Sequence, residues 1–316
     1  MSTTAVMCSR QRIGRLALAV FAMTAIATVN ADGLPDSSRA GSTSDRAGAP
    51  ARIAILIDDV GDNRALGERA LALPGPVSYA FLPHTAHAPM LARSAHSKGR
   101  DVLLHAPMES EARQQLMGPG ALTMQMSEPD LRAQLRKNLA SIPFVRGFNN
   151  HMGSVLTKDA TRMSWLLEEA RSQSLFFVDS RTTSHSVAGP TARKLGVPTL
   201  GRDIFLDHED SPAAVERQFD RLLKLARERG HALAIGHPRP ATLQVLERRL
   251  PGLAETGVQL APVSALLLRS NGPHCFAAAA TSWSQLLLAG QRWLACQPST
   301  NRATPTRGVV LVDMSR

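Results

Sequence analysis

Residues 53–61 read IAILIDDVG. The run is apolar and rich in β-branched side chains, the composition of a strand buried on both faces. It ends on two adjacent carboxylates, Asp58 and Asp59, followed by Gly61. Two like charges at a strand tip repel unless something cationic lies beside them, so a bound group is expected there. Capping of a following helix would use one such carboxylate and leaves the other unexplained.

Working outward, seven further short apolar runs follow: VSYAFLP (77–83), DVLLHAP (101–107), FVRGFNNH (144–151), LFFVDS (175–180), VPTLGRDIF (197–205), HALAIGH (231–237) and VQLAPV (258–263). Helical segments lie between them. In SEPDLRAQLRKNL, Ser127 and Asp130 form a capping pattern. In residues 211–230, Ser211 suits the N-cap, Pro212 the first turn and Gly230 the C-cap, and Val215, Phe219, Leu222, Leu223 and Ala226 make one apolar face. This alternation predicts a parallel α/β fold, either an open doubly wound sheet or a (β/α) barrel, with the barrel preferred. No G-x-G-x-x-G or G-x-x-x-x-G-K appears, and nothing recommends a nucleotide site.

At 316 residues and 44% hydrophobic content the chain can bury a sizeable core. Its formal charge of +10 includes Arg10, Arg12 and Arg15 in the first 31 residues, and the other basic residues are scattered along helices. Solvated helix faces are therefore expected, with no nucleic-acid partner. Residues 1–31 combine a basic start, the apolar LALAVFAMTAIATV and the small-residue ending VNA, the pattern of a secretory signal peptide. A periplasmic or secreted location is expected, with no membrane span after signal removal. Residues 32–50 read as a flexible linker, 51–268 as the folded domain, and 269–316 as a tail of unknown structure with one candidate helix near 282–295. The tail holds Cys275 and Cys296, which lie outside the core, so the fold does not rest on a disulfide framework.

The residues able to do chemistry fall at the C-terminal ends of the expected strands: Asp58 and Asp59, His105 and Glu109, Asn149, Asn150 and His151, Asp179 and Arg181, Asp203 and Asp207, and His237. In a parallel α/β fold those ends share one face and converge. Imidazoles with carboxylate and no cysteine suit a divalent metal of the zinc class. Bland readings stand beside these. Asn149 and Asn150 equally suit a turn, Asp207 and His208 an acidic solvated turn, and His84, His87, His96, His185, His231 and His274 are taken as structural or exposed.

The ordered motifs IDDVG, LLHAPME, NNHMGS, FVDSRT and AIGHP resemble the divergent polysaccharide deacetylase family, a branch of the NodB-like carbohydrate esterases, over residues 52–268. The resemblance implies a distorted (β/α) barrel and a metal-dependent hydrolase, usually with zinc, that removes N- or O-acetyl groups from a polysaccharide. Asp59 resembles the metal-binding aspartate, Asp58 the catalytic base, His105 the first metal histidine and His237 the general acid. Where the wider superfamily places a second histidine, position 109 is Glu. The third ligand is then His151 or Glu109, with His151 preferred. Glu109 and Asn150 are also candidates for substrate contact. The superfamily's arginine-proline-tyrosine motif has no counterpart, leaving Asp179 and Arg181 as residues that orient the base. These departures, with only 4% aromatics and one tyrosine, keep two alternatives open: an inactive barrel that binds glycan or an envelope partner, and a metal hydrolase of another acyl or amide bond.

Overall fold

A computed structural model of the chain describes residues 50–111 and 116–270. The expected signal, linker and tail, with both tail cysteines, lie outside the described residues. Within them the elements run β1 (Ala51–Val60), α1 (Arg64–Leu71), β2 (Ser78–Phe81), α2 (Ala88–Ser97), β3 (Val102–Met108), α3 (Glu128–Ser141), β4 (Gly147–Met152) and α4 (Ala160–Ser172). They continue with β5 (Phe176–Asp179), α5 (Ala188–Lys194), β6 (Thr199–Gly201), β7 (Ile204–Phe205), α6 (Pro212–Arg229), β8 (His231–Gly236), α7 (Pro240–Arg249), β9 (Val258–Leu260) and α8 (Val263–Ser270). None of the described helices is long and apolar enough to cross a membrane.

The strands form one parallel sheet in the order β6-β5-β4-β3-β2-β1-β8-β7, with β9 added to the start of β1. This is the distorted (β/α) barrel. The run VPTLGRDIF, expected as one strand, is broken in two: β6 pairs with β5 and β7 pairs with β8. Only Arg202 and Asp203 lie between them, donating their backbone N–H groups to Asp179 O and Leu233 O respectively. The ring is therefore completed by the chain itself, crossing from one edge to the other.

Strand alternation sorts side chains to two faces. Ile53, Ile55, Ile57, Tyr79, Phe81, Leu104, Phe148 and Phe177 point outward and form a core with the surrounding helices. Ala54, Leu56, Ala80, Leu103, Phe176, Val178, Leu200, Leu233 and Ile235 point inward, where they pack on Val263 and Leu266 of α8. The last helix thus plugs the barrel from below. Continuing the inward parity upward places Asp58, His105, Asn149, Ser180, Arg202 and His237 at the mouth. The caps agree with the sequence: Ser127 Oγ accepts from Asp130 N, Ser211 Oγ accepts from Ala214 N, and Gly230 closes α6 at φ 82°.

Because Leu266 is 1% exposed inside the plug, Leu266→Ala is expected to cost about 2–4 kcal/mol by loss of buried methyl groups and the cavity left. Urea unfolding checks this, with Met90→Ala on an exposed helix position as the neutral comparison.

Candidate active site

The site begins with the local geometry of β1. Its pairing with β2 shifts register between Ile57 and Val60, and Asp59 sits at φ 55° in the left-handed region. Such an irregularity breaks the strict alternation of a strand and re-aims a side chain. Asp58 continues the inward parity and Asp59, which would otherwise point outward, also reaches the mouth. Gly61 follows at φ 144°, where a Cβ would lie 2.2 Å from Thr85 Oγ1. The two carboxylates and the glycine that opened the sequence are one device: a bent strand end that delivers both acids to one place.

Three atoms meet there. Asp59 Oδ1 lies 3.1 Å from His105 Nε2 and 2.9 Å from His151 Nδ1, and those two nitrogens are 3.1 Å apart. The protons on the far sides of the rings decide what these atoms carry. Asn149 Nδ2 donates to both oxygens of Asp58 at 2.9 Å, which turns its Oδ1 toward His105 Nδ1 at 2.8 Å. A carbonyl-type oxygen only accepts, so the His105 proton sits on Nδ1 and Nε2 is bare. His151 Nε2 faces the Leu116 carbonyl at 3.4 Å, which places its proton there and bares Nδ1. Asp59 Oδ1 is buried and lacks a hydrogen bond of acceptable geometry. Three lone pairs thus converge with no proton between them in the neutral state.

A divalent cation fits this arrangement. Ligand bonds of about 2.0–2.1 Å in a tetrahedral site imply ligand–ligand spacings of about 3.3 Å, a few tenths from those observed. Outer hydrogen bonds that fix the tautomers of metal-binding imidazoles are the usual support for such a site. Asp59, His105 and His151 are the group of three that could hold an ion among the described residues. Glu109 is elsewhere: its Oε2 accepts from Met124 N, and its backbone bonds to Leu122, Val155 and Leu156, so it ties down loops around the mouth.

Electrostatics follow from the crowding. Burial lowers the pKa of His105, but Asp58 and Asp59 outweigh it and raise it to about 9. Burial would raise the pKa of Asp59, but the two imidazoles hold it well below the ordinary carboxylate range. Asp58, 2% exposed, has its pKa raised, mainly by burial.

His237 enters from β8. Its Nε2 is 3.7 Å from Asp59 Oδ2, and its Nδ1 is 2.9 Å from Asp207 Oδ1. Asp207 also accepts from His237 N at 2.7 Å and from Thr242 Oγ1 at 2.7 Å. Burial opposes charge on both, yet their hydrogen bond lowers the pKa of Asp207 and raises that of His237. The acidic turn expected to be solvated is thus corrected at Asp207, which is 0% exposed; His208 beside it is exposed. Asn149 and Asn150 likewise do more than shape a turn: both lie on β4, and Asn150 accepts from Ser180 N and donates to Met152 O, tying the end of β4 to the residue after β5.

Among the described residues, Asp179 and Arg181 make no hydrogen bond to Asp58. The carboxylate of Asp179 accepts from Arg181 N, Ser186 Oγ and Gly189 N, bracing the loop into α5, while Arg181 Nη1 donates to Arg202 O. The groups favouring ionised Asp58 are the His105 and His237 imidazoles, through their charge, and Asn149, through its bifurcated hydrogen bond, while Arg202 lies close enough to feel the charge of Asp58. Arg202 donates to Ser180 O at 2.6 Å and lies over the Phe205 ring, which in turn packs on His237. Sequence reasoning places Asn149 and Asp207 at strand ends without giving either a role, and it does not single out Arg202. A signal existed for Asp207, since a histidine at a strand end needs a carboxylate to hold its ring, and for Arg202, a lone cation between two apolar halves of one run.

The comparisons with known proteins give the family and the fold. The model of the divergent polysaccharide deacetylase family matches residues 55–267, and the chain belongs to that family. It is 39% identical over 208 residues to an uncharacterized protein of Haemophilus influenzae, covering 66% of this chain and 74% of that one. It is 35% identical over 216 residues to the uncharacterized protein YibQ of Escherichia coli K12, covering 68% and 67%. A solved structure of an uncharacterized protein from Agrobacterium tumefaciens C58 shares the fold, with a TM-score of 0.67 at 22% identity over 70% of this chain and 90% of that one.

With its pKa near 9, His105 carries a proton on Nε2 at pH 7 in the metal-free protein, and a cation must displace it. Affinity for a divalent ion is therefore expected to rise about tenfold per pH unit from 7 to 9 and to level off above. Competition with a chromogenic chelator checks the slope.

Proposed function

We propose that the chain is a metal-dependent hydrolase that removes acetyl groups from a cell-envelope or extracellular polysaccharide, with zinc as the ion. The observation carrying the reading is the convergence of three ligand atoms, bare once His105 is neutral, between the buried carboxylate of Asp58 and a carboxylate-held histidine. The basic, apolar and small-residue pattern of residues 1–31 supports action outside the cytoplasm.

A bound divalent ion supplies Lewis acidity, lowering the pKa of water and drawing electron density from an acyl oxygen. Asp59, His105 and His151 would hold it. Asp58 takes the proton from the water that attacks the acyl carbon, and its raised pKa makes it a better acceptor than an ordinary surface carboxylate. Asn149 keeps both of its oxygens in place. His237, protonated on Nε2, gives that proton to the departing amine or alcohol as the acyl C–N or C–O bond breaks. Asp207 holds the imidazolium and its orientation throughout. Acetate leaves, and proton transfer from Asp58 to solvent and from solvent to His237 resets the site. A barrel that only binds glycan has no use for the buried Asp207–His237 pair, so the hydrolytic reading stands first.

The rate should be bell-shaped in pH, needing ionised Asp58 on the acid side and protonated His237 on the alkaline side. Asp58→Asn is expected to lower acetate release from acetylated glycan by about 10²–10⁴-fold while metal content is kept. Asp207→Asn removes the charge that raises the His237 pKa, so the alkaline limb should move to lower pH. Acetate assays across pH check both.

A further inference from the structure

Beside the catalytic mouth, at the ends of β5 and β6, lies a polar cleft of about 370 Å³ lined by Arg181, Arg193, Thr183, Ser184 and Ser186. Its volume falls in the range of small-ligand sites. Two features set it apart from an ordinary solvated surface. Both guanidinium groups lack a carboxylate partner: Arg181 donates to the Arg202 carbonyl alone, and the Arg193 side chain has no protein partner among the described residues. The one carboxylate in the lining, Asp179, is already met by three donors, Arg181 N, Ser186 Oγ and Gly189 N. The second feature is a built floor. The Arg181 guanidinium lies against Gly201, where a Cβ would sit 2.5 Å from Nε and 2.6 Å from Nη2.

The cleft neighbours the candidate site through Ser180, which stands in the chain between the lining residues Asp179 and Arg181. Ser180, the residue before Arg181, has its Oγ 3.1 Å from Asn149 Nδ2, the same nitrogen that holds Asp58. A substrate with its acyl group at Asp58 and His237 that passes over the end of β5 would meet two guanidinium groups without a carboxylate partner and the hydroxyls of Thr183 and Ser184. Planar forks of N–H donors select oxyanions, and hydroxyls beside them suit a sugar ring.

We propose that this cleft receives an oxyanion carried by the polysaccharide, so that the substrate is an acidic glycan with its carboxylate or phosphate between Arg181 and Arg193. The inference rests on the hydrolase reading for its orientation, and its test reads binding without turnover. Glucuronate, glucose 6-phosphate and glucose are titrated into the full chain and into Arg193→Gln, followed by NMR at low and high salt. Arg193 is exposed, so the variant should fold as the wild type does. At least one of the two anionic sugars should bind about tenfold tighter than glucose, and Arg193→Gln should weaken it about five- to tenfold while leaving glucose unchanged. Which anion responds tells carboxylate from phosphate. Glucose binding as tightly as both anions, no binding of either anion, or anion affinity unaffected by Arg193→Gln would overturn the proposal. Loss of acetate release with anion binding intact would instead count against the hydrolase reading.

Discussion

The Asn149 amide bridges Asp58 and His105, and the rest of the site depends on it. Its nitrogen can only donate and its oxygen can only accept, so giving the nitrogen to Asp58 leaves the oxygen to take the Nδ1 proton of His105. One side chain, buried at 0% exposure, thereby holds the carboxylate and bares the imidazole nitrogen opposite it. An amide at this position joins the Asp58 carboxylate and the His105 imidazole into one unit. A carboxylate there would repel Asp58, and an apolar residue would leave the His105 tautomer free.

The barrel is what makes that bridge possible. The register pairs His105 with Asn149 across β3 and β4, and inward parity on β1 brings Asp58 to the same level. The chain then crosses between the two sheet edges in the two residues Arg202 and Asp203. That short crossing brings Arg202 near Asp58 and starts the strand leading to Asp207. Closure and the polar mouth thus share these residues. Below the mouth the inner face is filled by apolar side chains and by α8, so the polar groups have a dry floor and strengthened electrostatics.

Most of the fold was legible because period-2 and period-3.6 patterns are local. Ser127 and Ser211 marked helix starts, and the apolar face of residues 215–226 was read position by position. The split of VPTLGRDIF could not be read, since the break depends on which edge each half meets. At the site, the ends of β1, β3, β4 and β8 announced Asp58, Asp59, His105, His151 and His237 as candidates, and the structure brings those five together. Glu109, Asp179 and Arg181 carried the same positional signal but spend their hydrogen bonds on loops. Position along the chain identifies which residues reach the mouth. It does not say which partner each takes once there, and that choice separated Asp207 and Asn149 from their bland readings.

The proposed cation would be held by Asp59, His105 and His151. Elemental analysis of the purified chain beside Asp59→Ala and His105→Ala tests this most directly. One equivalent of a divalent metal is expected in the wild type, with its loss in both folded variants. No metal in the wild type, even after incubation with zinc at pH 9 and removal of the excess, would contradict it.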